Sequence, residues 1–157
     1  MRPLVLAALR KITGENPGKH PYNSWRALTN EEIAQEYEWE YPKVEPVFGD
    51  IFPTVEDFVK AAETGKVVSL TKNRDRQIAY RSHSNSLEDL KEMVESYRFP
   101  RDVDRIVDGF ENNAAIPYPI VLDDNGNWRI MSGNTRLDTA FLMGVTPKVL
   151  VVKVPET

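Results

Sequence analysis

The sequence predicts an α+β protein in which helices pack on a mixed sheet. Three observations predict this class: capped amphipathic helix patterns, a β-hairpin signal at residues 125–126, and a nearly continuous Val and Leu run at residues 148–154. The chain has 157 residues and 41% hydrophobic content, which is enough to bury a core. We expect residues 1–65 to form an acidic N-terminal extension of helices and loops, and residues 66–157 to form the main domain.

Four helices are predicted before the hairpin, and each begins beside a Ser, Thr or Asp residue. The first three follow Thr29, Thr54 and Ser86, and the fourth begins near Asp102. An acidic residue three positions after Thr29 and after Ser86 completes a capping-box pattern. The apolar faces of the last three helices are predicted to contain Val55, Phe58, Val59 and Ala62; Leu87, Leu90, Val94 and Tyr97; and Val103, Ile106, Val107 and Phe110.

The strand signals are strongest in the last third of the chain. Residues 119–123 and 127–131 are apolar runs on either side of an Asn-Gly dipeptide, which accepts the positive φ values of a tight hairpin turn. The run at 148–154 is typical of a strand that is covered on both faces. Residues 67–70 form a shorter strand candidate. Residues 13–26 and 41–53 are rich in Pro, Gly and Asn and are predicted to be loops.

Composition excludes several classes of protein. The chain contains no cysteine, so it has neither a disulfide framework nor a thiolate nucleophile. A net charge of −4 and a pI near 5.3 argue against coating nucleic acid by bulk charge. No segment approaches the roughly 20 apolar residues that cross a bilayer. We therefore expect a cytoplasmic protein with no membrane partner.

Charge is distributed unevenly along the chain. Residues 29–57 contain nine acidic residues and one lysine, whereas residues 66–81 contain five basic residues and one aspartate. In one interpretation, each stretch is a solvated face. In the second interpretation, the basic segment is a local anion-binding patch that contacts nucleic acid through Lys72, Arg74, Arg76 and Arg81.

The sequence Ser132-Gly133-Asn134-Thr135-Arg136 lies where a strand is predicted to end and a helix to begin. Unpaired backbone N–H groups and the positive end of the helix dipole meet at such a corner. Gly133 allows close approach of an anion, and Ser132 and Thr135 add hydroxyl groups. Arg136 can donate two parallel hydrogen bonds to phosphate oxygens. The alternative is that Ser132 only caps the helix and Arg136 is a surface charge.

The helix after this corner is predicted to bury one face. Its three and four spacing places Leu137, Ala140 and Phe141 on that face. Arg136 and Asp138 lie outside it. Asp138 is therefore expected near the corner, either close to a bound phosphate or as a solvated acid on the helix surface.

The order of elements around this corner resembles the ParB/sulfiredoxin superfamily over residues 66–154. In that family an apolar strand such as 119–122 leads through a hairpin to a Gly-x-x-Arg motif that opens a helix, as Gly133 and Arg136 do here. The resemblance implies a site for ATP or CTP, with Gly133 and Arg136 at the phosphates and the two residues between them in variable positions. It also implies the family fold.

The chain departs from two branches of this family. Sulfiredoxin chemistry uses a cysteine, which this chain lacks. Partition ParB proteins carry a helix-turn-helix domain after the nucleotide domain, but this sequence stops shortly after Gly144. The motif is similar to that of stand-alone members carried by phages and mobile elements, which are often described as nuclease-like.

Three functions remain open at this point. The first is a nucleotide-binding enzyme that hydrolyses or transfers a phosphoryl group with Mg²⁺, using a carboxylate from Asp138, Asp102 or Asp104. The second is a DNA-binding or nuclease-like protein that uses the basic segment. The third is a non-catalytic interaction module. Each of the three carboxylates has a plain alternative as a solvated acid on a helix surface, and the sequence does not identify metal ligands.

Overall fold

The computed structural model of the chain describes residues 25–48, 51–97, 101–112 and 114–155. Its helices are α1 (Asn30–Phe48), α2 (Val55–Glu63), α3 (Lys72–Arg76), α4 (Leu87–Glu95), α5 (Val103–Glu111) and α6 (Asn134–Met143). Its strands are β1 (Trp25–Arg26), β2 (Lys66–Ser69), β3 (Ile116–Pro117), β4 (Ile120–Asp124), β5 (Asn127–Ser132) and β6 (Lys148–Lys153). The α+β class is confirmed.

The chain divides into two compact units, each built from separate parts of the sequence. Within the described residues, the first unit contains 25–26, 82–97, 101–112, 114–116 and 135–147. The second unit contains the remainder, including α1, α2 and the four-stranded sheet. The boundary expected between residues 65 and 66 does not coincide with this division, because α1 and α2 share a core with the sheet.

The second unit is organised by a mixed sheet with strand order β2-β6-β4-β5. Strand β6 pairs antiparallel with β2 and parallel with β4, while β4 and β5 form the predicted antiparallel hairpin. Its turn uses Asn125 and Gly126, at φ values of 51° and 94°. Strand β6 is buried on both faces from Val149 to Val152, as the Val-rich run predicts.

Helices α1 and α2 cover one face of this sheet. The amphipathic face predicted for α2 is confirmed, with Phe58 fully buried and the helix capped by Thr54. Burial of apolar surface drives this packing. The shared core contains Ile33, Tyr41 and Val44 of α1, Phe58 and Ala62 of α2, Phe52 between them, and Ile120, Leu122, Met131, Leu150 and Val152 of the sheet.

The prediction of a loop at residues 41–53 is wrong for its first part, because α1 continues to Phe48. Pro42 removes a backbone donor and disfavours a helix interior. The packing of its neighbours offsets this penalty: Tyr41 and Val44 are buried, and the Tyr41 ring stacks on Tyr37 with centroids 4.6 Å apart. The Tyr41 hydroxyl also accepts a hydrogen bond from the Phe52 backbone N–H at 3.1 Å. Tertiary contacts therefore override the local signal.

The first unit contains α4, α5 and most of α6. Leu90 and Val94 of α4 and Val103 of α5 form a buried cluster, as their spacing predicts. Phe110 at the end of α5 is fully buried and meets the Trp25 ring edge-on, with centroids 5.0 Å apart. The prediction that Tyr97 lies on the apolar face of this helix is wrong, because that residue lies beyond the end of α4 and is 39% exposed.

The predicted helix caps are confirmed in atomic detail. The Thr29 backbone N–H donates to Glu32 at 2.9 Å, and the Glu32 N–H donates to the Thr29 hydroxyl at 3.1 Å, which is a complete capping box. Ser86 and Asp102 accept hydrogen bonds from backbone N–H groups in the first turns of α4 and α5. Among the described residues, no helix is both long and apolar enough to cross a membrane.

Replacing Phe58 with Ala should lower the free energy of unfolding by about 3–5 kcal/mol, because a fully buried ring is lost and a cavity remains. Urea denaturation measures this change. Trp39→Ala provides the matched control, since Trp39 is 59% exposed and its removal should change stability by less than about 0.5 kcal/mol. Equal losses in the two variants would contradict this placement of the core.

Candidate functional site

The strand-to-helix corner lies where the sequence predicts it. Strand β5 ends at Ser132, α6 begins at Asn134, and Gly133 joins them with a φ of 88°. This left-handed conformation is unfavourable for a residue with a Cβ atom and open to glycine. Gly133 is therefore required here by the backbone itself, and it leaves the start of α6 without a bulky side chain.

A β-bulge in β5 turns Ser132 toward α1. Ile120 pairs with Ser132 while Val121 pairs with Ile130, so Met131 is an extra residue with no partner across the ladder. The Ser132 hydroxyl donates a hydrogen bond of 2.5 Å to the Glu36 carboxylate on α1, and Ser132 is only 4% exposed. In this structure the predicted phosphate-binding hydroxyl is thus engaged by a carboxylate of the chain.

Arg81 places a buried positive charge beside the first residue of α6. Its guanidinium donates to both carboxylate oxygens of Asp75, at 2.7 and 3.2 Å, and its Nη1 donates to Asn134 Oδ1. The side chains of Arg81 and Asp75 are 1% and 5% exposed. Arg81 is therefore enclosed next to the corner and is not a solvent-facing contact for a nucleic-acid backbone.

The segment that carries Arg81 runs along the outer edge of β5. Ala79 forms a parallel bridge to Arg129: its N–H donates to the Trp128 carbonyl at 2.8 Å, and its carbonyl accepts from Ile130 at 3.0 Å. Earlier in the segment, the Arg74 guanidinium lies 3.8 Å from the Trp128 ring centroid and donates to the Gly126 carbonyl. Hydrogen bonds and a cation–π contact thus hold the segment against the strand.

A second cation–π pair occurs one residue further along β5. The Arg129 guanidinium lies 3.7 Å from the Tyr80 ring centroid, and its Nη2 donates to the Lys43 carbonyl at 3.4 Å. Burial lowers the pKa of Arg129, and Tyr80 partly offsets that effect. Arg129 is 7% exposed, whereas Tyr80 is 66% exposed. The sequence contains no motif that identifies either residue, so this pair is visible only in the fold.

The rest of the predicted basic patch faces solvent. Lys72 and Arg76 are exposed at the two ends of α3, and Arg74 is half-buried by its contact with Trp128. The four predicted cations therefore have different environments. Two are available to an anionic partner at the surface, one lies against an aromatic ring, and Arg81 is enclosed.

Asp138 is buried, so its interpretation as a solvated surface acid is wrong. It is 2% exposed and accepts a hydrogen bond of 3.0 Å from the Ser84 backbone N–H, within the first unit. The spacing of apolar residues did not predict this burial, because residues outside the predicted apolar face of α6 are also buried. Thr135 is 8% exposed and Thr139 is fully buried. Leu137 and Ala140 are buried as predicted, while Phe141 and Arg136 are half-buried.

The other two candidate carboxylates have structural partners of their own. Asp102 is the N-cap of α5 and accepts from the Arg105 backbone N–H at 3.0 Å. Asp104 forms an exposed ion pair with Lys91 of α4 at 2.6 Å, and this hydrogen bond raises the pKa of Lys91. These contacts assign Asp102 to helix capping and Asp104 to a surface ion pair.

No protein-family model matches the chain, and no curated protein or solved structure matches it. Within the part of the chain that the structure describes, no group of three or more His, Asp or Glu side chains is arranged to hold a metal ion.

Asp75→Ala should lower the free energy of unfolding by about 3–5 kcal/mol, because it leaves the enclosed Arg81 guanidinium without its carboxylate. The double variant Asp75→Leu/Arg81→Met should recover much of that loss, since it removes both charges. Chemical denaturation measures both effects. Asp104→Ala, which breaks an exposed pair, should leave the unfolding midpoint nearly unchanged. If Asp75→Ala behaves like Asp104→Ala, the buried pair does not hold the segment.

Proposed function

We propose that this chain is a nucleotide-binding protein of the ParB/sulfiredoxin type, which holds nucleotide phosphates at the β5–α6 corner. The order of elements supports the family assignment: a hairpin is followed by the Gly-x-x-Arg motif, a helix and a Val-rich strand. The observation that carries the proposal is the positive φ of Gly133 directly before α6. A glycine at this point exposes backbone at a helix N-terminus, which is an intrinsic anion-binding arrangement.

The charges around the corner leave the attraction of a phosphate to the backbone N–H groups and to Arg136. Arg81 is held beside Asn134 by Asp75, and the Asp75 carboxylate balances its charge. The Glu36 carboxylate, which accepts from Ser132, would repel an anion. We therefore assign phosphate contact mainly to the backbone at Gly133 and to Arg136, with Asn134 and Thr135 completing the first turn and Ser132 positioning the bulge.

Hydrolysis or transfer of a phosphoryl group is the second part of the proposal. Mg²⁺ bound with a nucleotide is usually held by phosphates, waters and one or two carboxylates, and it stabilises charge on the transferred group. Among the three candidate carboxylates, Asp138 is the one on α6, one turn from the corner, and its hydrogen bond to Ser84 fixes its orientation.

Arg136→Ala should weaken binding of ATP or CTP by roughly 10- to 150-fold, because a charge-assisted hydrogen bond to phosphate contributes about 1.5–3 kcal/mol. Gly133→Val should be comparably damaging, since a β-branched residue is strained at φ 88° and blocks the approach of the ligand. Isothermal titration in the presence of Mg²⁺ measures both. Lys60→Ala, which removes an exposed charge on α2, should bind like the wild type.

Two results would count against parts of this proposal. Wild-type affinity in Arg136→Ala would mean that the corner is only a strand-to-helix connection. Nucleotide binding without release of phosphate, in wild type and Asp138→Asn alike, would leave a ligand-binding module without phosphoryl-transfer activity.

DNA binding or a nuclease-like activity is the second candidate function. One observation favours it: Lys72 and Arg76 are both exposed on α3. Phosphates of a duplex are contacted by such cations, and each contact releases counterions. The acidic character of the whole chain restricts this interaction to the local segment.

Replacing Lys72 and Arg76 together with Ala should reduce the steepness of log K against log salt by about one to two units if both residues contact duplex phosphates. Fluorescence anisotropy with a labelled duplex over a range of salt concentrations measures the slope. Lys60→Ala again serves as the control for loss of an exposed charge. An unchanged slope, or no duplex binding at low salt, would eliminate this candidate.

A further inference from the structure

Tyr80 combines two features that are unusual for a large aromatic residue. The residue is 66% exposed, although its side chain is large and aromatic. Its backbone has a φ of 65°, a left-handed conformation that is unfavourable for bulky residues and is readily adopted by Gly or Asn. Backbone strain of this kind is concentrated at ligand-binding positions.

One face of the Tyr80 ring packs against a buried arginine. The Arg129 guanidinium covers that face at 3.7 Å from the centroid, and Arg129 is itself buried and donates to the Lys43 carbonyl. Because Arg129 covers this face, we assign most of the accessible surface of Tyr80, which is 66% exposed, to the opposite face and the edge of the ring. The result is an aromatic surface held in one orientation, with a positive charge behind it that withdraws electron density from the ring.

The residues on either side of Tyr80 connect it to β5 and to the first residue of α6, within the second unit. Ala79, on one side of Tyr80, is bridged to β5, and Arg81, on the other side, donates to Asn134. Arg129 precedes Ser132 by three residues, or about 10 Å of extended strand. Both side chains reach α1, where Arg129 contacts Lys43 and Ser132 contacts Glu36, so they lie on the same face of the sheet.

We infer that Tyr80 is the base-stacking residue of the proposed nucleotide site and that it favours a purine nucleotide. The sugar and the first phosphates of an extended nucleotide would bridge the roughly 10 Å of strand between the base on the outer face of Tyr80 and the β5–α6 corner. A purine offers the larger and more electron-rich surface to a ring polarised by Arg129. This inference rests on the proposed nucleotide-binding function.

The test compares ligands with and without a base. Wild type, Tyr80→Phe and Tyr80→Ala are titrated with ATP, with CTP and with inorganic triphosphate, each with Mg²⁺. Loss of base stacking should weaken ATP binding to Tyr80→Ala by roughly 5- to 150-fold. Tyr80→Phe should keep wild-type affinity, triphosphate binding should be unchanged in all three proteins, and wild type should prefer ATP to CTP.

A third variant separates stacking from support of the backbone. Tyr80→Asn removes the ring but accepts a positive φ, so it should melt no lower than Tyr80→Ala and still lose affinity for ATP. Affinity for ATP equal to wild type in Tyr80→Ala and Tyr80→Asn would overturn the inference while the proposed function stands. Equal loss of ATP and triphosphate would also overturn it, because Tyr80 would then act only through the fold.

Two further results concern the wild-type protein. Equal affinity for ATP and CTP would overturn the purine preference. Failure to bind both ATP and triphosphate would overturn the proposed function and this inference together, whereas binding of triphosphate with no gain from a base would overturn the inference alone.

Discussion

The arrangement of the candidate site depends on the buried ion pair between Asp75 and Arg81. Two enclosed charges are favourable only when each has a well-placed partner, and Arg81 meets this condition with both oxygens of Asp75 and with Asn134. The pair closes a short loop of chain, so that α3 and the residues after it lie along β5. The positions of Ala79 and Tyr80 follow from that closure, because both lie inside the loop.

Strand β5 supplies the other half of the arrangement. Its alternating residues send Trp128 and Arg129 to opposite faces of the sheet, and each is matched by a residue of the adjoining segment, Arg74 for the tryptophan and Tyr80 for the arginine. The bulge at Met131 then brings Ser132 to the face that carries α1. Without the extra residue, Ser132 would point away from Glu36, and the strand would reach Gly133 with a different orientation.

Local rules predicted much of the fold but only part of the site. Capping residues, apolar periodicity and the Asn-Gly turn depend on neighbours in sequence. The helices after Thr29, Thr54 and Ser86 and the hairpin at residues 120–132 could therefore be predicted from the sequence. The corner at Gly133, between β5 and α6, could be predicted in the same way. The continuation of α1 past Pro42, the burial of Asp138 and the enclosure of Arg81 depend on partners far away in sequence. The Tyr80–Arg129 pair has the same origin, since neither residue has a local pattern that indicates the other.

The bridge made by Ala79 also changes what the edge of the four-stranded sheet exposes. An edge strand presents unpaired backbone groups that can pair with a strand from another molecule. β5 is an edge of the four-stranded sheet, and Ala79 occupies the Trp128 carbonyl and the Ile130 N–H along that edge. The opposite edge, β2, is only four residues long and begins with a lysine. The segment that orients Tyr80 and Arg81 therefore also covers backbone groups of an edge strand, which reduces the capacity of β5 to pair with a strand of another chain.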